Sequence, residues 1–399
     1  MESMVQIMRK MKDSGIEWIG EIPEEWEVVK LKNFASISSG TALPKDDYDF
    51  EGNIPVVGSN GKIGTTYKAN NYSEVITTGR VGSIGTAYIV QTSWITDNAL
   101  IIDSHGLNRI YLFYVLPNFD FNFMLSGTAQ PLITATKLKN QFIPIPPPQI
   151  QTSIVQYLNI HCHIVDSLLS ESYLCIEQYI KLKQSVITQT VTKGVRSERE
   201  MKDSGVAWIG KVNQRFSLIK LKYICSILDQ YRKPISADKR SQSGSILYDY
   251  YGASGAIDKI DDYTIDDHVM LIGEDGANLR LRNLPLMYEI NGKAWVNNHA
   301  HILKPTEKVD FYYLFYALEG LDINPYITGS AQPKLSQENL QNIWIPLPSH
   351  EEQKEIATYI RSKCTEIDKL IEKKEQLVKE LENYKKSLIY EVVTGKREV

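Results

Sequence analysis

The sequence predicts an α+β protein built twice over, with two similar mixed domains of short strands and small helices and two long helices that pair with each other. Three observations predict it. Residues 151–193 contain neither Gly nor Pro and place apolar residues at a heptad spacing. The same pattern returns 202 positions further on, from Cys162 to Cys364 for example, with its polar interruptions intact. Matching blocks of sequence flank both helices, so the duplication covers nearly the whole chain.

The elements follow in order. MKDSGIEWIG (11–20) recurs as MKDSGVAWIG (201–210), and VKLKNFASI (29–37) as IKLKYICSI (219–227), both offset by 190. Two globular segments follow, 22–146 and 212–348. They show β-rich runs such as VITTGRVGSIGTAYIV (75–90) and WITDNALII (94–102), broken by Gly, Asn and Asp turns. A helical patch is expected at 109–116, with its partner at 310–318. Glycine-rich turns recur at an offset of 194: VVGSNGKIG (56–64) with YYGASGAID (250–258), and GRVGSIG (79–85) with GEDGANL (273–279). They serve either as plain hairpins or as loops whose backbone approaches a groove. SGTAQPLIT (126–134) matches TGSAQPKLS (328–336), and FIPIP (142–146) matches WIPLP (344–348), both offset by 202. Twelve net residues therefore enter the second half between Ile227 and Thr328. The frame of each segment is kept while its interior diverges, which suggests one docking geometry presenting two different recognition surfaces.

With Val155 as position a, the seam of the first long helix is Val155, Leu158, Cys162, Val165, Leu169, Ser172, Ile176, Tyr179, Lys183 and Val186. In the second helix it is Ala357, Ile360, Cys364, Ile367, Ile371, Lys374, Val378, Leu381, Lys385 and Leu388. Ser172 answers Lys374 and Lys183 answers Lys385, as expected of a duplicated helix whose polar seam residues fix register. Pro146 to Pro148 fence the start of the first helix and Gly194 its end. At about 1.5 Å per residue this helix reaches about 65 Å, the length of a strut. TVTKGVRSEREMKDSG (190–205) spans the central junction, and joining the C-terminal VVTGKREV to the N-terminal MRKMKDSG would nearly regenerate it. The termini are expected to be neighbours.

Hydrophobic residues at 43% and charged residues at 23% describe an ordinary soluble chain, long enough at 399 residues for two domains and a connector. No apolar run approaches a membrane span and the first twenty residues lack the apolar core of a signal peptide, so a cytoplasmic protein that engages no membrane is expected. A net charge of −4 argues against holding nucleic acid by bulk electrostatics alone and leaves room for local basic surfaces. The cysteines, Cys162, Cys175, Cys225 and Cys364, form no CxxC pair and have no His at ligand spacing, so buried thiols are expected rather than a disulfide framework or a zinc site.

No catalytic motif is complete in the sequence. Gly61-Lys62 is followed by Ile63 and fits no phosphate-binding loop, and Asn324-Pro325-Tyr326 lacks the second Pro of an amino-methyltransferase signature and reads as a turn. His161 and His163 sit beside the helical seam as surface or structural residues, and the Lys- and Glu-rich 369–386 is a solvated helix face.

TGSAQPKLSQENLQNIWIPLPSHEEQKEIATYI (328–360), with its weaker copy SGTAQPLITATKLKNQFIPIPPPQIQTSIVQYL (126–158), resembles the specificity subunit of type I restriction-modification systems. The carrying features are the Gly-x-x-Gln-Pro segment, the Ile-Pro-Leu-Pro run and the Glu-Glu-Gln that opens a long helix. The first copy departs from it at Gln149-Ile150-Gln151 and at Leu132, which stands where the second has Lys334. The resemblance implies target-recognition domains at 22–148 and 212–348, long helices at 149–194 and 349–399 paired antiparallel, and two related short segments at 1–21 and 195–211. It implies a non-catalytic chain that recognises a bipartite, asymmetric double-stranded DNA target. Two methyltransferase subunits would dock on it for adenine-N6 methylation, and restriction translocase-nuclease subunits would join for cleavage. S-adenosylmethionine, ATP and magnesium are then expected on those partners, with no cofactor or metal on this chain. Rival readings are a coiled-coil adaptor for protein partners, a specificity module of a related combined restriction-methylation enzyme, and a nuclease with scattered acidic residues.

Candidate DNA-binding residues are Asn60, Lys62, Arg80 and Gln130 in the first domain, and Asn278, Arg280, Arg282, Gln332 and Lys334 in the second. Gln matches adenine and Arg matches guanine in bidentate pairs worth about 1–3 kcal/mol of discrimination. Gln130 and Gln332 lie in the shared frame, where a structural or backbone-contacting role is equally open. An antiparallel pairing would put Cys162 and Cys364 about 30 Å apart, beyond any disulfide, whereas a parallel one would set them side by side.

Overall fold

Short β-rich runs closed by glycine turns pair into sheets, and the two halves of the chain bring corresponding strands together in a related order. The computed structural model describes all residues except 1–8, 126–131, 197–199, 208, 237–239 and 241–245. The chain divides into two units, Met1–Tyr173 with Gln376–Val399, and Leu174–Glu375. Both long helices, Pro148–Lys193 and His350–Val393, contribute a segment to each unit.

In the first unit Ala35–Ser39, Ala99–Ser104, Val75–Gly79 and Ala87–Val90 form an antiparallel sheet in that order. A second sheet joins Gly61–Thr66, Ile54–Gly58 and Trp94–Ile95, the last two parallel. In the second unit the corresponding strands make one six-stranded sheet, Cys225–Ile227, Ala300–Pro305, Ile265–Gly273, Met287–Val296, Tyr248–Gly252 and Gly255–Ile260. The difference lies in the divergent interior. Met287–Val296 runs unbroken, with Gly292 at φ 107°, where the first unit breaks into Ala87–Val90 and Trp94–Ile95.

A small helix follows each sheet, Arg109–Val115 or Phe311–Gly320, at the two expected places. Asn108 and Asp310 cap them by accepting from backbone N–H groups two or three residues on. Tyr111 and Tyr313 are wholly buried, and their hydroxyls donate to the carbonyls of Pro144 and Pro346 in the strands Phe142–Ile145 and Trp344–Leu347.

The first long helix starts at Pro148, three residues earlier than the apolar pattern suggested, because Pro lacks the N–H that a first turn leaves unpaired. It ends at Lys193, and Gly194 takes the left-handed φ of 84°. All twenty predicted seam positions are buried or half-buried. In the first unit Asp166 pairs with Lys385 at 2.6 Å and Tyr173 donates to Glu382 at 3.1 Å, so the helix segments run antiparallel. In the second unit Lys183 pairs with Asp368 at 2.7 Å and Arg196 with Glu355 at 3.2 Å, again antiparallel. Lys183 and Lys385, which occupy one equivalent seam position, are thus met by Asp368 and Asp166, aspartates that the duplication itself supplies.

Cys162 belongs to the core of the first unit and Cys364 to that of the second; all four cysteines are free thiols. Burial comes first in raising the Cys162 and Cys364 thiols, the latter to about 11. The C-terminal Leu388, Val392 and Val393 pack on the first core with Ile19, Ile22 and Trp26, which sets the C-terminus beside the N-terminal segment. Tyr390 donates to the Ile19 carbonyl across that contact. No described helix is long and apolar enough to cross a membrane.

Candidate nucleic-acid interface

In each unit, loops from successive strands converge at one end of the sheet, and glycines permit the convergence. A Cβ on Gly79 would lie 2.1 Å from the Ser83 carbonyl oxygen and 2.8 Å from that of Ser59; on Gly273 it would lie 2.7 Å from the Ala253 carbonyl oxygen. The glycine turns therefore let loops approach one another. In the first unit the 58–61 hairpin, the loop after Gly79 and the turn at 96–98 meet through Ser59, whose hydroxyl donates to the Asn98 carbonyl at 2.6 Å, and through the Arg80 N–H, which donates to the same carbonyl. Ile133 N–H donates to the Arg80 carbonyl, and Val81 bridges to Leu132, bringing in the segment that begins at Leu132.

The first-unit candidates fall around this tip. Lys62 is exposed on the strand Gly61–Thr66. Asn60 accepts from the Tyr88 hydroxyl at 3.1 Å. Arg80 is half-buried and donates to the Ser39 hydroxyl at 3.2 Å. Gln130 lies outside the described residues.

In the second unit three of the candidates are engaged within the fold. Asn278 closes its own loop, donating to the carbonyls of Leu284 and Pro285 and accepting from Leu284 N–H at 2.8 Å. Arg280 donates to the carbonyls of Ile327 and Gly329 and so braces the 328–334 hairpin. Arg282 sits at φ 54°, the one non-glycine residue with a positive φ among those described, and donates to the carbonyls of Glu319 and Leu321. It thereby caps the C-terminal end of the helix Phe311–Gly320, where carbonyls lack helical partners. Burial lowers the affinity of this guanidinium for its proton, and burial raises the Glu319 carboxyl beside it against the pull of the Met287 and Leu286 N–H groups and Arg282. Gln332 and Lys334 are exposed, whereas Pro333 and Leu335 between and after them are buried. The hairpin thus anchors alternate residues and displays the other two.

A polar cluster that no motif or spacing signals lies beneath that hairpin. His301, 1% exposed, sets Nδ1 2.6 Å from Asp229 Oδ2 and Nε2 2.8 Å from the Leu335 carbonyl oxygen. Arg232 bonds to Glu274 and lies 3.2 Å from Asp229, and Lys334 lies 3.1 Å from the other Glu274 oxygen. Burial pulls the Glu274 carboxyl up, but the bonds from Arg232 and Lys334 together hold it below the usual carboxylate range. Only a histidine among the apolar residues that open the strand Ala300–Pro305 could have signalled this cluster. Its partners lie 27 to 72 positions away and come together through sheet pairing alone. Among the described residues, no group of His, Cys, Asp and Glu is arranged to hold a metal ion.

These two loop clusters lie within regions that match a known family. The model of the type I restriction modification DNA specificity domain matches residues 23–169 and 213–383. A chain of Haemophilus influenzae whose name assigns it to the specificity subunits of type I restriction enzymes is 35% identical over 136 residues, 34% of either chain. The MjaVIII type I restriction enzyme specificity subunit of Methanocaldococcus jannaschii is 24% identical over 98% of either chain. A solved chain of a type I R-M system shares the fold with a TM-score of 0.68 at 15% identity, over 94% of this chain and 99% of that one.

Proposed function

The chain belongs to the family of type I restriction-modification DNA specificity domains, and on that premise we propose that its two units read the two halves of a bipartite, asymmetric double-stranded DNA target. The observation that carries this reading is the duplicated loop cluster, one frame with two different tips. Tyr111 and Tyr313 hold equivalent strands, and Gln151 and Gln353 hold equivalent helix starts. At the tip Arg80 stands where the second unit has Glu274, since each follows the glycine that pairs with Ala99 or Ala300. A common frame with opposite charges at matching positions suits two domains that dock alike and read different bases.

In this reading Lys62 and Arg80 supply contacts in the first unit, with Asn60 beside them, and Gln332 and Lys334 do so in the second. Asn278, Arg280 and Arg282 act there by shaping the loops that carry those contacts. The paired long helices set the distance between half-sites and offer the surface on which two methyltransferase subunits assemble, with restriction subunits joining for cleavage. Adenine-N6 methylation, S-adenosylmethionine, ATP and magnesium then belong to those partners. The chain itself selects the site. Expressing it with a neighbouring methyltransferase and mapping methylated adenines genome-wide should give a split motif. Exchanging residues 22–146 for a relative's equivalent should change one half of that motif and leave the other half and the gap intact. A change in both halves, or methylation without a split motif, sinks the proposal.

A further inference from the structure

We infer that Ile63 and Ile257 are DNA-contacting residues that hold the duplex without reading it, one at each half-site; this rests on the reading of the two units as half-site readers. The hairpins 58–64 and 252–258 keep three residues in common, Gly58, Gly61 and Ile63 in one and Gly252, Gly255 and Ile257 in the other. The positions around them change: Asn60 is answered by Ser254, Lys62 by Ala256 and Gly64 by Asp258. Each hairpin carries a β-bulge at the same place. Val56 pairs with Gly64 and Val57 with Lys62, while Tyr250 pairs with Asp258 and Tyr251 with Ala256. The residue left over by the register shift is Ile63 in the first unit and Ile257 in the second. Both bulged strands, Gly61–Thr66 and Gly255–Ile260, lie at the edge of their sheets. A regular strand alternates its faces, but here Lys62 with Ile63, and Ala256 with Ile257, are exposed in succession, because a bulge re-aims the side chain it adds.

A single exposed isoleucine is ordinary on a protein surface. Here the same residue, bulge and edge position occur twice, at 53% and 55% exposure, in loops whose other side chains have diverged. Each isoleucine lies against a glycine: a Cβ on Gly58 would be 3.1 Å from Ile63 Cδ1, and one on Gly252 would be 3.1 Å from Ile257 Cδ1. A tyrosine holds each turn from the other side, since a Cβ on Gly61 would lie 3.1 Å from Tyr88 Cε1 and one on Gly255 would lie 2.7 Å from Tyr288 Cε1. The isoleucines are therefore presented from a fixed hairpin. That hairpin belongs to the loop tip, which is why DNA is the surface they meet. Ser59 is bonded to the 96–98 turn, exposed Lys62 precedes Ile63, and Ile257 lines an open cleft with Asn298 and His299 of the matching 297–299 turn. Two units that read different bases cannot be choosing them with one unchanged residue. An apolar side chain pressed into a groove makes no donor or acceptor demand on the base pair, and burying the half now in water adds affinity that is the same for every sequence.

The test uses full-length chain in complex with its methyltransferase subunits and a duplex containing the mapped target, with binding measured across a range of salt concentrations. Ile63→Ser and Ile257→Ser should each weaken binding about five- to tenfold. The slope of log affinity against log salt should stay as in wild type, because no phosphate contact is lost. The methylation motif and the melting temperature of the chain should also stay close to wild type, and Ile63→Leu, which keeps an apolar side chain at the bulge, should retain binding. Unchanged affinity in the serine variants overturns the inference, as does a motif that relaxes at one base pair, which would make the isoleucines readers. A lower melting temperature in the serine variants overturns it by assigning the residues to the fold, and loss of assembly with the methyltransferase subunits overturns it by assigning them to a protein partner. A bipartite target bound equally well by wild type and the serine variants overturns this inference alone, whereas a complex that recognises no bipartite target overturns the reading beneath it.

Discussion

Arg80 and Arg282 both qualify by residue type as guanine readers, and the structure gives them different work. Arg80 reaches the Ser39 hydroxyl from a loop at the tip, while Arg282 is bonded into the carbonyls that end the helix Phe311–Gly320. Arg80→Ala should therefore reduce methylation while leaving the melting temperature close to wild type. Arg282→Ala should cost about 1–3 kcal/mol of stability by removing donors from the carbonyls of Glu319 and Leu321, visible as a lower melting temperature. The reverse pattern in calorimetry and methylation assays would refute these roles. Glu274 allows a test by pH. Its carboxyl is held below its ordinary range, so its contribution is present above that range and disappears as pH falls through the folded value. Glu274→Gln should be less stable than wild type at pH 7, and the gap should close as pH falls to about 4 and below. A constant gap in denaturant titrations across that window would rule out the charge as its cause. Residue type was legible in the sequence at each of these positions. Whether a side chain points outward or into a neighbouring carbonyl depends on a chain reversal that residue type does not encode.

At the scale of elements, the long helices show what a polar seam residue is for. Lys183 and Lys385 interrupt the apolar seam, and each meets an aspartate, Asp368 or Asp166, on the facing helix. The partners are legible only after the direction of pairing is known, because an aspartate outside the seam faces a seam lysine in one orientation alone. Asp166→Lys or Lys385→Asp alone should destabilise the first unit, and the double exchange should recover about 0.5–1 kcal/mol, the range for pairs that are partly exposed. A double-mutant cycle with no coupling energy would contradict the pair. Gln151 and Gln353 were a subtler case. They stand at the same offset in both copies, but the offset does not show what they bond to. Each Gln donates to a proline carbonyl at the preceding turn and accepts from the N-cap N–H of the small helix, at Asn108 or Asp310. Both are nearly wholly buried, so Gln353→Leu should cost about 1–3 kcal/mol by leaving buried backbone groups unpaired. An unchanged melting temperature would show that another group satisfies them.

For the molecule as a whole, the duplication is the governing fact, and it yields a length test. Deleting one heptad from each long helix removes about 10 Å of helical rise, equivalent to about three base pairs. If the helices set the distance between half-sites, the methylation motif of such a variant should show a shorter gap or methylation should fail. An unchanged gap with full activity, read from genome-wide methylation maps, would exclude the helices as the spacer.

The sequence by itself determined the repeat, the two mixed domains, the twenty seam positions and the meeting of the C-terminal end with the segment around Ile19, because each is written as a period or an offset along one dimension. Only the tertiary structure decided which way the helix segments pair, that Met287–Val296 fuses two sheets into one, and that His301, Asp229, Arg232, Glu274 and Lys334 share one cluster. Those outcomes depend on contacts between residues far apart in the chain. Hydrophobic periodicity specifies which face of an element is buried, and packing alone specifies what lies against it.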